Sequence, residues 1–254
     1  TARRAPWVAP SYALGGHAVY ARQLATVGFD AIVLANNHAM DFGAAGRDSS
    51  KKTLDELGIA HSGEVGDIAH LSVRGQKLAV IAFATSLFSY NLNDLPAARA
   101  AVTELAAHND IVVVSFHGGA EGAAHQRVPI GHEFFYREDR GDLRRFAHEM
   151  IDAGADLVIG HGPHVLRGLE LYQGRLVAYS LGNFATYGGM NLRGPAGLCA
   201  ILEVHLASDG AFRGGQIHSC RQRSPGGPKL DPISEAIGVV RALSAEDFGA
   251  AAPT

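Results

Sequence analysis

The chain has 254 residues, of which 47% are hydrophobic, and a formal net charge of −3 at pH 7. This length is sufficient to bury a full core, and the composition is that of a globular protein rather than a disordered one. The charge balance gives no basic footprint, so nucleic acid is not an expected partner, and no apolar stretch approaches the roughly 20 residues that span a bilayer.

The first part of the chain alternates between helical and strand patterns, which is typical of parallel βαβ crossovers. In chain order the patterns predict a helix at 17–28, a strand at 30–35, a helix at 46–58, a strand at 77–85, a helix at 96–109, a strand at 110–116, a helix at 140–154 and a strand at 155–160.

After residue 165 the pattern changes to consecutive strands. Two strands are predicted around Gln173-Gly174, and a second hairpin around 208–210. A loop at 221–229 and a helix at 231–244 follow. We therefore predict an α/β fold with a mixed β-sheet, or two packed sheets, flanked by helices. We expect a single domain over 1–254, with its core at about 17–220 and a C-terminal loop and helix at 221–254.

Polar side chains follow three of the predicted strands. Asn37 and His38 end the first of these strands, His117 and Glu121 follow the second, and His161 and His164 follow the third. Ligands of open α/β sheets bind beyond the carboxyl ends of the strands, so these groups are expected to converge on one site for a divalent metal ion. Taken alone, any one of the histidines is more often a half-buried residue that is hydrogen-bonded to a loop.

The residue types also indicate roles within such a site. Asn37 offers a carbonyl oxygen to a metal, and His38 either binds the metal or acts as a general acid. His161 and His164, separated by Gly162-Pro163, lie in a turn where both imidazoles can face one ion.

The segment from Gly118 to Asp142 is predicted to be a long polar loop that holds several cationic side chains. Loops of this length are often functional, so its cations are candidates for binding an anionic substrate over the site. A solvated surface excursion is the alternative. The loop cations are His125, Arg127, His132, Arg137 and Arg140.

Two cysteines, Cys199 and Cys220, are too few for a disulfide framework. They form one bridge if their strands are neighbours, or they are small core residues. The redox compartment is left open.

At three motifs the sequence resembles the CapA-like proteins of bacterial capsule (poly-γ-glutamate) synthesis, which belong among the calcineurin-like metallophosphatase folds. The motifs are LANNHAMDFG at 34–43, FHGGAE at 116–121 and the long segment at 154–184. Together they extend over most of residues 20–206.

The resemblance implies a role for each matching residue. The protein would bind one or two divalent metal ions (Mn, Fe, Zn or Mg). The metal ligands would be Asn37, His117, His161 and His164. The catalytic residues would be His38, as the acid, and Asp41, which orients it. Glu121 and Asn183, which lie in these motifs, would bind the substrate. His125 and Arg127 are predicted to bind it too, but from the polar loop described above and not from the resemblance.

The resemblance also implies an anionic polymer or a small anionic substrate, other capsule-synthesis proteins as partners, and a location at the cell envelope or outside the cell. Metal-dependent hydrolysis or transfer is the expected activity. A non-catalytic polymer-binding or assembly subunit and a generic metal-dependent phosphoesterase are the alternatives, so whether the protein is an enzyme stays open.

The chain departs from the family pattern in two places. It lacks the strand ending in Gly-Asp and the Asn-Leu-Glu segment with which family members open, so we expect the first βα unit to be missing from this chain. It also has Gly118 where the family commonly has Trp. Without the Asp, the predicted site holds several imidazoles and little negative charge.

Overall fold

The structure, a computed structural model, describes residues 13–186 and 190–254. Residues 1–12 of the predicted domain, and residues 187–189, lie outside the described part.

Five α-helices and fourteen strands are described, joined by short 3-10 turns. The helices are α1 (Arg22–Thr26), α2 (Gly43–Glu56), α3 (Leu95–His108), α4 (Leu143–Asp152) and α5 (Glu235–Phe248). The strands are β1 (Ala31–Val33), β2 (Ala60–Ser62), β3 (Ala69–Val73), β4 (Gln76–Ala84), β5 (Tyr90–Asn91), β6 (Ile111–His117), β7 (Glu133–Phe135), β8 (Glu138–Gly141), β9 (Leu157–His161), β10 (Leu169–Tyr172), β11 (Arg175–Ala178), β12 (Leu198–Leu206), β13 (Phe212–Gln222) and β14 (Pro228–Leu230). Within this part of the chain, no helix is both long and apolar enough to cross a membrane.

The central sheet has seven strands in the order β10-β11-β9-β6-β4-β3, with β5 paired to β4. Strands β11, β9, β6, β4 and β5 run parallel, whereas β10 and β3 are antiparallel to their neighbours. Because β6 and β9 are adjacent and parallel, their carboxyl ends meet at the same edge of the sheet. That edge carries His117 and His161.

The sheet is covered on both faces, because alternate side chains of its strands point to opposite sides. On one face Val112, Val114 and Phe116 of β6 pack with helices α3 and α4. On the other face Leu157 of β9 joins a second core cluster with Leu198 of β12 and other residues of β12, β13 and α5. The antiparallel sheet β12-β13-β14 therefore packs against the central sheet. The predicted mixed α/β fold with two packed sheets and flanking helices is confirmed.

Three details differ from the prediction. Strand β1 does not join the central sheet but pairs with β2, which was not predicted, and it is only half-buried. The predicted loop from Gly118 to Asp142 contains the antiparallel hairpin β7-β8. The predicted loop at 221–229 is shorter, because β13 extends to Gln222 and β14 pairs with it. Short strands of three residues are difficult to predict because they give little periodic signal.

Candidate functional site

The register of β6 against β9 brings two of the predicted histidines side by side. His117 and His161 are direct partners in this parallel pair. Their Nδ1 atoms lie 3.0 Å apart, and the His117 ring is 5% exposed. On the other side of β6, the partner of His117 is Ala84 at the end of β4, whose small side chain leaves room for the ring.

His164 is held by Asn183, which fixes the protonation of its ring. The Asn183 Nδ2 donates to the carbonyls of His164 and Ala196, both at 3.0 Å, so its Oδ1 is the acceptor 2.8 Å from His164 Nδ1. His164 Nδ1 therefore carries the proton, and Nε2 keeps its lone pair in the neutral ring. The backbone of His164 is left-handed, with φ of +60°. This conformation is uncommon for a residue other than glycine, and such strained positions cluster at functional sites.

His38 is oriented in the same way by Asp41, 2.8 Å from its Nδ1. A carboxylate only accepts hydrogen bonds, so His38 Nδ1 donates and its Nε2 is the basic nitrogen. The turn that carries His38 is closed by Asn36, whose Oδ1 accepts from the His38 backbone N–H at 2.8 Å. In both His38 and His164, Nδ1 is therefore held by a hydrogen bond and Nε2 is the free nitrogen.

His38, His117 and His164, but not His161, line a cavity of about 820 Å³, which is within the usual range for ligand sites. Its polar lining includes Asn37, His38, His117 and His164, and its apolar lining includes Phe42. One face of helix α2 also contributes side chains, which the sequence reasoning missed: Arg47, Ser49 and Ser50. No chemical motif marks these three residues, so only the packing of α2 reveals them.

Beneath the cavity lies a guanidinium group that the sequence analysis counted only as a loop cation. Arg140 of β8 is 1% exposed, and its Nη2 lies 3.2 Å from His117 Nε2 and 3.1 Å from Glu121 Oε1. The second oxygen of Glu121 is 3.9 Å from His164 Nε2. Glu121 therefore joins the cluster, as predicted from its motif, but through Arg140.

The buried histidine pair is uncharged at neutral pH. Burial, then the neighbouring His161 and Arg140, lower the pKa of His117 to about 2. Burial, then His164, lower the pKa of His161 to about 4. Because a guanidinium only donates, Arg140 occupies the lone pair of His117 Nε2, and His117 Nδ1–H donates to His161 Nδ1. The proton of His161 is then on Nε2, which is buried without a partner in the described part of the chain.

This arrangement does not fit a divalent metal ion. A metal needs free lone pairs from neutral imidazoles, and those of His117 and His161 are taken by Arg140 and by His117. The carboxylate of Glu121 is paired with Arg140. Within residues 13–186 and 190–254, no set of three or more His, Cys, Asp or Glu side chains is placed to hold a metal ion. Of the predicted ligands, His117 and His161 form a hydrogen-bonded pair, whereas His164 is bonded to Asn183 and shares with Asn37 only the lining of the cavity.

Two of the predicted substrate-binding residues lie away from the cavity. Arg127 pairs with Asp247 and, at 2.8 Å, with Glu246, because the acidic end of α5 packs beside it. His125 offers its backbone carbonyl to Arg167 at 2.9 Å. The structure therefore does not place His125 and Arg127 in the lining of the histidine cavity, and their part in substrate binding stays a prediction.

Comparison with known proteins adds a family to this geometry. Residues 1–187 match the model of a family described as bacterial capsule synthesis protein PGA_cap. The PGA biosynthesis protein CapA of Bacillus subtilis (strain 168) is 33% identical over 210 residues, which cover 75% of this chain and 50% of that protein. The capsule biosynthesis protein CapA of Bacillus anthracis is 28% identical over 203 residues, covering 72% of this chain and 46% of that protein.

The chain thus spans about half the length of the curated relatives it matches. Among solved structures, it is similar to a 5'-nucleotidase precursor from Thermus thermophilus, with 14% identity and a TM-score of 0.47, over 90% of this chain and 44% of that one. A similarity at this level does not assign an activity.

Proposed function

Because this chain belongs to the bacterial capsule synthesis protein family, we propose that its histidine cavity binds the amide main chain of an anionic glutamate polymer and that His38 and His164 transfer protons at one amide bond. The observation that carries this proposal is that His38 and His164 line one cavity and that a hydrogen bond at Nδ1 of each ring leaves its Nε2 free.

The lining of the cavity suits such a chain. Asn37 and the hydroxyls of Ser49 and Ser50 offer hydrogen bonds to amide groups, while Phe42 and Leu34 offer apolar surface to the methylene groups between them. In poly-γ-glutamate, the polymer implied by the family resemblance, two methylene groups and one CH that carries the carboxylate separate each main-chain amide from the next. Neutral donors and acceptors with apolar walls match amides that are spaced in this way.

Breaking an amide requires a proton to leave the attacking group and another to reach the departing nitrogen. In the proposed step, His38 Nε2 takes the proton of the attacking water or amine as its oxygen or nitrogen bonds to the carbonyl carbon. His164, after its Nε2 takes up a proton from solvent, donates that proton to the departing nitrogen as the carbon–nitrogen bond breaks, with the carboxylate of Glu121 3.9 Å from Nε2. The proton on His38 then passes to solvent, which returns both rings to their starting state. Asn183 and Asp41 position the two rings.

Metal-dependent hydrolysis, which the family resemblance implies, would need the lone pairs that Arg140 and His117 now occupy. The proposal therefore rests on proton transfer alone and contains no step through a metal. For this reason, the test below compares activity in EDTA with activity in added Mn²⁺.

The experiment measures amine release from a γ-glutamyl oligomer, with EDTA and with added Mn²⁺. His38→Ala and His164→Ala are expected to lower kcat by about 100-fold or more, the usual size of a general acid or base contribution. His70→Ala, which changes an exposed histidine of β3 outside the cavity, is the matched control and should behave like the original protein.

Three results would overturn the proposal. Binding of the oligomer by calorimetry without turnover would indicate a non-catalytic polymer-binding subunit. Activity that EDTA removes and Mn²⁺ restores would show that the histidine cluster rearranges around a metal. Turnover of a chromogenic phosphodiester, with none of the γ-glutamyl oligomer, would indicate a phosphoesterase.

We further propose that the protein works at the cell envelope beside other capsule-synthesis proteins, since its relatives are named for capsule biosynthesis. Co-purification from envelope fractions tests this proposal.

A further inference from the structure

We propose that a basic groove beside the histidine cavity binds the carboxylates of the same polymer. This groove is a second binding surface, and it rests on the proposed function for the identity of the polymer. We define the basic groove by four cationic side chains on two neighbouring cavities: Arg193, Arg221, Arg223 and Lys229.

The groove continues from the histidine cavity. Met190 lines both that cavity and a second one of about 670 Å³, whose wall includes Arg193 and Arg223. A third cavity of about 740 Å³ shares Arg221 and Arg223 with the second and adds Lys229. The three cavities are therefore neighbours, and Met190 lies between the histidine cavity and the cations.

Most of the positive charge of this groove is available to a ligand. Arg193, Arg223 and Lys229 are exposed, and none has a carboxylate within 4.0 Å in the described part of the chain, whereas Arg221 pairs with Glu235. The nearby carboxylate of Asp231 accepts hydrogen bonds from the backbone N–H of Glu235 and from Ser219, which satisfies it internally.

The groove is mounted on the same framework as the histidines. Asn183, which holds His164, also donates to the carbonyl of Ala196 in the 3-10 turn that follows Arg193. Buried Gln222, between Arg221 and Arg223, accepts from the backbone N–H of Thr186 at 3.1 Å. The groove and the cavity are thus fixed relative to each other by buried amide side chains.

The arginine that lines the histidine cavity is already paired and does not serve a polycarboxylate. Arg47 contacts Asp48 at 2.8 Å and Glu64 at 2.9 Å. An amide main chain bound in the cavity carries a carboxylate on every residue, and those that leave the cavity need cations outside it. A concave groove continuous with the cavity suits a linear chain, whereas a lipid surface presents a flat array of charges.

The test compares the triple variant Arg193→Ala, Arg223→Ala, Lys229→Ala with a control triple variant, Arg213→Ala, Arg241→Ala, Lys77→Ala. The control changes two exposed arginines and one exposed lysine that also have no carboxylate within 4.0 Å among the described residues. Both variants lose the same charge, so a difference between them reports the place of the charge. Melting temperatures verify that both are folded.

Two probes are titrated into each protein by calorimetry: long-chain poly-γ-glutamate and a γ-glutamyl dipeptide. The groove variant is expected to bind the long chain about tenfold more weakly, since each exposed ion pair contributes a few-fold in affinity. Its dipeptide binding should be unchanged, and the difference should shrink in high salt. The control variant should bind both probes like the original protein.

Equal long-chain affinity in the groove variant and the control would overturn the inference. So would a groove variant that keeps its polymer affinity and instead loses binding to vesicles with anionic lipids, because the groove would then face a membrane. Failure of the proposed function has a different signature: His38→Ala and His164→Ala would leave turnover unchanged while the long chain still bound through the groove.

Discussion

Glu133→Gln is expected to destabilise the protein strongly, because it removes the carboxylate that pairs with a buried arginine. Arg167 is fully buried and meets Glu133 through two hydrogen bonds, of 2.8 and 2.7 Å. The glutamine has the same size but no charge, so the guanidinium is left uncompensated. Breaking a buried ion pair in this way costs about 3–5 kcal/mol. In a domain of this size, each kcal/mol lowers Tm by about 2–4 °C, so a fall of about 6–20 °C is expected.

The measurement is thermal unfolding followed by circular dichroism. Arg145→Gln, which removes an exposed pair with Glu149 at 3.9 Å, is the control and should change the free energy of unfolding by less than about 1 kcal/mol. The ion pair also anchors the segment that leads to Glu121, because Arg167 and Glu133 both bond the backbone of Ala120. Oligomer binding in the histidine cavity should therefore weaken as well. A Tm within about 2 °C of the original would refute this reasoning.

Two further predictions concern groups outside the cavity. Burial alone would raise the pKa of Glu170, but hydrogen bonds from His148 and Tyr179 outweigh it and hold that pKa below its usual value. The ionised Glu170 carboxylate therefore stabilises the fold above its unfolded pKa of about 4.3, and this contribution is lost as pH falls through the folded pKa. Glu170→Gln should accordingly lower the urea midpoint at pH 7 more than at pH 3. An equal loss at both pH values would contradict this prediction. Burial raises the pKa of the Cys199 thiol to about 12 and also raises that of Cys220, so neither should react with Ellman's reagent at pH 8 until the protein is unfolded. Fewer than two reactive thiols after unfolding without reductant would instead indicate a disulfide.

The fold was largely predictable, because its central strands are long apolar runs. Strands β6 and β9 were recognised from such runs, and the helices between them from their 3.6-residue period and their capping residues. Which strands pair with each other was harder to predict from the sequence. Strand β1 has the same apolar character, yet it pairs with β2 in a separate small sheet, and its own sequence does not distinguish this neighbour from the strands of the central sheet.

The juxtaposition of His117 and His161 was also predictable, since the ends of parallel strands meet at one edge of a sheet. His38 reaches the cavity from β1 of a separate sheet, which that rule does not explain. What each residue does at the site was not predictable. The cations from Gly118 to Asp142 looked equivalent in the sequence. In the structure, Arg140 of the β7-β8 hairpin is buried under the cavity, whereas Arg127 forms an ion pair with Asp247 at the acidic end of α5. A hairpin of short strands with a register shift is set by its tertiary neighbours, so this distribution has no local signal.

The same residue types serve two chemistries, and hydrogen bonds decide between them. A metal centre and an acid–base site both need neutral imidazoles held at fixed orientations, so a sequence that supplies several histidines at one sheet edge predicts either. A metal requires the lone pairs of His117 and His161 to be free, whereas Arg140 donates to His117, whose Nδ1–H in turn donates to His161. The free Nε2 lone pairs of His38 and His164 are set separately, by Asp41 and Asn183. The guanidinium places one permanent positive charge below the cavity without occupying it. The position of Arg140 therefore argues against metal binding at His117 and His161, whereas the proposal of proton transfer at His38 and His164 rests on the orientation of those two rings by Asp41 and Asn183.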